Sequence, residues 1–175
     1  MNERTANNNV DLLRALLQIP CPSGREERMA AFICERIAEL GYQAEIDAQG
    51  NAWTRLVGRD ANAGPVALAS HTDEIAMVVN AIEENGELRV QRSGGLHPWK
   101  LGEGPLQLIG DGTSIVPAQL SFGSGHTNDP DDPITQFASG ARGLTWPHCH
   151  LLTGLSAAEL RAAGVRVGTC AVPLS

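Results

Sequence analysis

Aromatic residues are scarce in this chain. Phe, Trp and Tyr make up 4% of its 175 residues, so any core must rest on Leu, Val, Ile and Ala. Hydrophobic content as a whole is 42%, enough to support a folded interior. Basic residues are outnumbered as well. Thirteen Lys and Arg stand against 20 Asp and Glu, a formal net charge of −7. That deficit argues against nucleic acid or an anionic membrane as a partner. The four cysteines, Cys21, Cys34, Cys149 and Cys170, include no Cys-x-x-Cys pair, which argues against a zinc knuckle or a thioredoxin-like site. No run of about 18 apolar residues is present, so no membrane span is expected. Residues 1–9 are polar and lack the apolar core of a signal peptide. A soluble, reduced, cytoplasmic protein is the expectation.

What is present centres on Val66-Ala67-Leu68-Ala69-Ser70-His71-Thr72-Asp73-Glu74. Small and apolar residues run without alternation from Val66, after Gly64-Pro65. That pattern predicts a strand buried on both faces, as in parallel sheets. In open α/β sheets, ligands bind at the carboxyl ends of strands. His71 and Asp73 are two apart, so on an extended backbone they point the same way. An imidazole with a carboxylate beside it suits metal binding, one as ligand and the other orienting it. A His-x-Asp pair is also a common surface hydrogen bond, and both readings stand at this point.

Before that stretch, Asn9 is positioned to cap a helix over residues 10–18, with Val10, Leu13, Leu16 and Leu17 on one face. Pro20 and Pro22 end it. Ser23 and Glu26 have capping-box spacing for a second helix that runs to about Leu40. Met29, Ile33, Ile37 and Leu40 make its apolar stripe, and Gly41 stops it. Cys34 lies beside the stripe and reads as packing. Tyr42 to Ile46 alternates as a half-exposed strand. Gln49-Gly50-Asn51 turns the chain into another, Ala52 to Val57.

After Glu74 the pattern changes. Ile75 to Ile82 and Glu87 to Gln91 read as strands joined by the hairpin Glu83-Glu84-Asn85-Gly86. Leu106 to Ile109, Ile115 to Phe122, Trp146 to Leu152 and a stretch opening at Val165-Arg166-Val167 read as further strands. Ser156 and Glu159 form a second capping box, for a helix ending at Gly164. Short strands between Gly-rich turns predict a small β-barrel or sandwich.

Pro22-Ser23-Gly24-x-Glu26, then Gly50-Asn51, then Ser70-His71-Thr72-Asp73-Glu74-Ile75, in that order and spacing, resemble the glutamyl aminopeptidase family of cocatalytic metallopeptidases. That family includes the tetrahedral aminopeptidases and proteins once labelled endoglucanase M. Ile82-Glu83-Glu84-Asn85-Gly86-x-Leu88 resembles the first hairpin of that family's inserted domain. Leu155 to Gly168 resembles the insert's closing helix and strand. Thr72 and Ala76 depart from the residues more usual there.

The resemblance implies an α/β fold: part of a zinc-exopeptidase-like mixed sheet with helices, followed by an inserted β-rich, barrel-like domain. It implies a catalytic portion over residues 1–75 and an insert over 76–175 that mediates dimer contacts, from which larger homo-oligomers are built. Carried over residue by residue, His71 is a metal ligand, Asp73 the catalytic aspartate that orients it, and Glu74 has no ligand role. Two divalent metal ions (zinc, cobalt or manganese) and a peptide substrate are implied for the complete enzyme.

Two-metal hydrolysis also needs a bridging carboxylate, further ligands and a general base, and no residue here matches those of the family. The chain alone is therefore expected to be catalytically incomplete. His148 and His150, with His126, offer an alternative metal set without supporting carboxylate spacing. Cys149 and Cys170 as a thiol pair have no stronger case. A non-catalytic assembly module built on the β-rich domain is the competing function. Carboxypeptidase-like or acetylornithine deacetylase-like enzymes share a His-x-Asp strand, but their inserted domain comes much later in the chain.

Overall fold

The computed structural model describes residues 3–60, 62–112 and 114–174. The chain divides into two compact units, residues 1–74 and 75–175.

The first unit opens with helix α1, Glu3–Leu17. It starts well before Asn9, the expected cap. No Pro or Gly precedes Pro20 in the sequence, so nothing breaks the helix in that direction. Its expected inner face is largely open, with Val10, Leu13 and Leu17 all exposed. Helix α2 covers Glu27–Glu39 and buries Met29 and Ala30. Gly41, at φ +85°, turns the chain out of it, as the sequence predicts. A two-stranded antiparallel ladder follows, β1 (Glu45–Ile46) and β2 (Ala52–Trp53). Asp47 fastens the turn, accepting from the Gln49 amide and from the backbone and side-chain nitrogens of Asn51, each at 2.9 Å.

The buried strand expected at 66–70 is not there. Residues 64–73 carry no strand assignment, and Val66 and Leu68 are 88% and 97% exposed. A strand is defined by its partners, since each extended residue offers an N–H and a C=O that a neighbouring ladder must take up. Among the described residues no ladder runs beside this stretch. At its far end a single backbone bridge forms, parallel, between Pro22 and Glu74.

The second unit is a closed barrel. Its strands are β3 (Ala76–Ile82), β4 (Leu88–Ser93), β5 (Gly104–Ile109), β6 (Ile115–Ser121), β7 (His150–Leu152) and β8 (Cys170–Pro173). They close in the order β3-β4-β7-β6-β5-β8, every neighbouring pair antiparallel. Closure leaves no sheet edge to be capped. The pleat explains the sequence pattern: along β6, Val116, Ala118 and Leu120 point in, while Ile115, Pro117 and Gln119 point out. Met77, Val79, Leu88, Leu108, Leu151 and Ala171 fill the interior with no solvent exposure.

The β3–β4 hairpin is the one expected from Asn85-Gly86. Asn85 Oδ1 accepts from the Glu87 amide at 3.0 Å, and Gly86 sits at φ +87°. Helix α3 (Pro98–Leu101) and helix α4 (Pro133–Ala138) lie in the connections, and helix α5 (Ala157–Ala162) precedes β8. The second capping box forms in full, with Glu159 N donating to Ser156 Oγ and Ser156 N to Glu159 Oε2. Leu160 of α5 and Val165 behind it pack into the barrel core.

Two strand assignments shift. Trp146–His148 is a single 3-10 turn, because Pro147 has no N–H for a ladder, and only His150–Leu152 pairs. Val165 to Thr169 is a turn rather than a strand opening. Arg166 N donates to Thr169 Oγ1 at 2.9 Å and Thr169 N returns to Arg166 O at 3.0 Å. The strand itself begins at Cys170.

Candidate metal centre

His71 and Asp73 come together even without the strand. His71 Nδ1 lies 2.9 Å from Asp73 Oδ1 and 3.1 Å from the Asp73 carbonyl oxygen. Both of these are acceptors, so Nδ1 carries a proton, and the neutral form of the ring keeps its lone pair on Nε2. The imidazole is 85% exposed and the carboxylate 37%. An exposed Nε2 backed by a carboxylate on Nδ1 is how a metal-ligating histidine is usually held.

The other oxygen of the carboxylate, Oδ2, accepts from the hydroxyl of Ser23, fifty residues earlier. Hydrogen bonds from Ser23 and then His71 hold the Asp73 carboxyl below the usual carboxylate range. The capping box expected at Ser23 is therefore not formed. Glu26 occupies the N-cap position of α2 without a side-chain cap bond, and its Oε1 accepts instead from the Gly24 amide at 2.7 Å. Gly24 lies at φ +85°, a left-handed conformation that no first helical residue adopts, so a helix cannot start directly behind Ser23.

Glu74 holds this loop in place. Its backbone N donates to Cys21 O at 2.8 Å, and its Oε1 accepts from Cys21 N at 2.8 Å. Cys21 is 1% exposed. Burial, with the carboxylates of Glu26, Glu74 and Asp73 nearby, pushes its thiol up to about 11, which leaves it a packing residue rather than a nucleophile.

Ser23 and Glu74 are the site residues that sequence reasoning missed. The signal available for Ser23 was the glycine directly behind it, a poor first helical residue. For Glu74 no local pattern exists, since its side chain turns back to a loop more than fifty residues upstream.

The remaining histidines do not assemble a site. Among the described residues no three His, Cys, Asp or Glu side chains are grouped to hold a metal ion. His148 Nδ1 accepts from the Thr145 amide at 3.2 Å. His150 is held between Glu87 Oε2, at 3.2 Å from Nδ1, and Arg89, at 3.1 Å from Nε2. Cys149 is buried, which pushes its thiol up to about 12. Among the described residues no helix is long and apolar enough to cross a membrane.

The order of elements, two helices and a short ladder and then a closed six-stranded barrel, recurs in solved aminopeptidases. The structure superposes on an aminopeptidase from the archaeon Desulfurococcus kamchatkensis with a TM-score of 0.80 at 23% identity, covering 95% of this chain and 43% of that one. It also matches the TET1 peptidase of Pyrococcus horikoshii, described as able to assemble into a tetrahedron or a large octahedral shell. There the TM-score is 0.71 at 22% identity, over 94% of this chain and 46% of the other.

Residues 50–175 match the M42 glutamyl aminopeptidase family, and the chain belongs to it. A curated relative, the glutamyl aminopeptidase of Lactococcus lactis, is 34% identical over 88 residues, which is 50% of this chain and 25% of that protein. The chain thus spans a little under half the length of these solved relatives, and its aligned part a quarter of the curated one.

Proposed function

We propose that this chain supplies the N-terminal part of a metal-dependent aminopeptidase. In this reading residues 1–75 belong to the catalytic domain, as part of a zinc-exopeptidase-like mixed sheet that further strands complete. Residues 76–175 form the inserted domain, through which copies of the chain associate. The substrate is a peptide, cleaved at its N-terminal bond.

The observation that carries the reading is the His71–Asp73 pair, found at 2.9 Å on the stretch where the family resemblance calls for it. His71 Nε2 would be one ligand of a divalent cation such as zinc, cobalt or manganese, ions suited to mixed nitrogen and oxygen donors. When bound, a cation pair supplies Lewis acidity and an activated water for attack on the peptide carbonyl. Asp73 keeps the proton on Nδ1, which reserves Nε2 for the cation. One imidazole fits a first ligand and no more, so the site needs carboxylates from outside the described residues.

The exposed apolar residues Val66 and Leu68 support the same view, because a parallel sheet covers such a run on both faces. Aminopeptidase activity on N-terminal peptide substrates, measured with added zinc, cobalt or manganese, tests the reading. The 175-residue chain is expected to be inactive. Joined to a polypeptide carrying the family's remaining ligands it should be active, and His71→Ala should abolish that activity. Turnover by the short chain would overturn its incompleteness. A completed polypeptide that loads metal yet hydrolyses no peptide would overturn the aminopeptidase reading.

A second reading, a non-catalytic assembly module, has one observation in its favour: the barrel closes and buries its own core.

A further inference from the structure

We propose that Ser23 is a positioning residue for the His71–Asp73 pair, and that Glu74 holds it there. This rests on the reading of His71 as a metal ligand and extends it to residues that touch no metal.

A carboxylate bonded through one oxygen still rotates about its Cβ–Cγ bond. Asp73 is bonded through both, Oδ1 to the His71 ring and Oδ2 to the Ser23 hydroxyl. The second bond turns a swinging acceptor into a fixed one. A fixed acceptor on Nδ1 selects a single tautomer of the imidazole.

Among the described residues the Ser23 hydroxyl caps no helix. Helix α2 starts at Glu27, and its N-cap makes no side-chain bond. The local backbone is built to present it. Arg25 N donates to Pro22 O at 2.9 Å, Gly24 takes the left-handed conformation, and Gly24 N is taken up by Glu26 Oε1 at 2.7 Å. The loop as a whole is fastened to the site by the Glu74 clasp, through two hydrogen bonds of 2.8 Å to the Cys21 backbone. Glu74 thus acts on His71 through Cys21, Ser23 and Asp73 in turn, although its side chain makes no bond to the imidazole.

The test reads the ring nitrogens of His71 by 15N–1H correlation in the 175-residue chain at alkaline pH. Zinc titration is followed on the same signals. The wild-type ring is expected to carry its proton on Nδ1. Ser23→Ala should move the population toward the Nε2–H form and weaken zinc binding at His71 roughly 10-fold, the lower end for removal of an outer-shell partner. Ser23→Thr, which keeps the hydroxyl, should restore both. Glu74→Ala should act in the same direction as Ser23→Ala, while Glu74→Gln, which keeps an acceptor for Cys21 N, should not.

Barrel resonances unchanged from wild type show that a variant is folded. If Ser23→Ala is not, Ser23→Cys serves as the poorer donor. An unchanged tautomer and zinc affinity in the folded variants overturns the proposal and leaves His71 standing as a ligand. A wild-type ring protonated at Nε2 instead removes the ligand reading itself.

Discussion

Replacing Gly86 with alanine tests how the β3–β4 hairpin and the start of α5 share space. A Cβ at Gly86 would lie 2.1 Å from the Leu155 carbonyl oxygen, 3.1 Å from its carbon and 3.3 Å from Ser156 Cα. All three are backbone atoms, so no side-chain rotation relieves the collision. Gly154 is the control. It too is left-handed, at φ +74°, but a Cβ there meets nothing within 4 Å.

Left-handed backbone disfavours an L-residue by about 1–2 kcal/mol, and alanine's lower unfolded-state entropy returns about 0.4–1 kcal/mol. Gly154→Ala should therefore cost about 1 kcal/mol. Gly86→Ala adds overpacking, about 1–3 kcal/mol, and loses about 1 kcal/mol more if Ser156 shifts off its cap. The expected total is about 3–5 kcal/mol. Denaturant melts of the full chain measure both variants. The probe is Trp146, whose indole N–H donates to Leu96 O at 3.2 Å within the barrel unit. Two variants equal to within about 0.5 kcal/mol would refute the packing argument.

Glu159 should make the barrel acid-sensitive. Ser156 holds its carboxyl below the ordinary value of 4.5. The stability it contributes is therefore complete above that value and lost as pH falls through the lower folded-state value. Melts of Glu159→Gln across pH 3 to 6 should show a flatter acid limb than wild type, and identical limbs would count against the cap. Limited proteolysis should cut the first unit sooner than residues 76–165, beginning near the unpaired stretch around Val57 and Leu68, 95% and 97% exposed. Equal resistance across the chain would contradict the lack of a ladder there.

The barrel was legible because antiparallel hairpins are local. The alternation along β6 marks its buried face, the Asn85-Gly86 turn pairs β3 with β4, and Ser156 finds its cap partner at Glu159. The strand expected at 66–70 does not form. An unbroken apolar run says that a segment is suited to burial, not that the element burying it lies within reach. His71 and Asp73 could be paired from their spacing of two, although a stretch without strand assignment, rather than the end of a buried strand, carries them. Ser23 was misassigned because one hydroxyl had two possible partners. Capping rules look only a few residues ahead, whereas its acceptor lies fifty residues away.

Zinc titration of the 175-residue chain with its histidine rings labelled decides whether His71 and Asp73 belong to a metal centre. Of the five histidines, His71 should respond first, through Nε2, with its proton retained on Nδ1. Asp73→Asn, whose amide nitrogen can turn toward the ring in place of an acceptor, should weaken that response. If zinc instead settles first at His126, His148 or His150, or reaches His71 through Nδ1, the assignment of this pair to a metal centre is wrong.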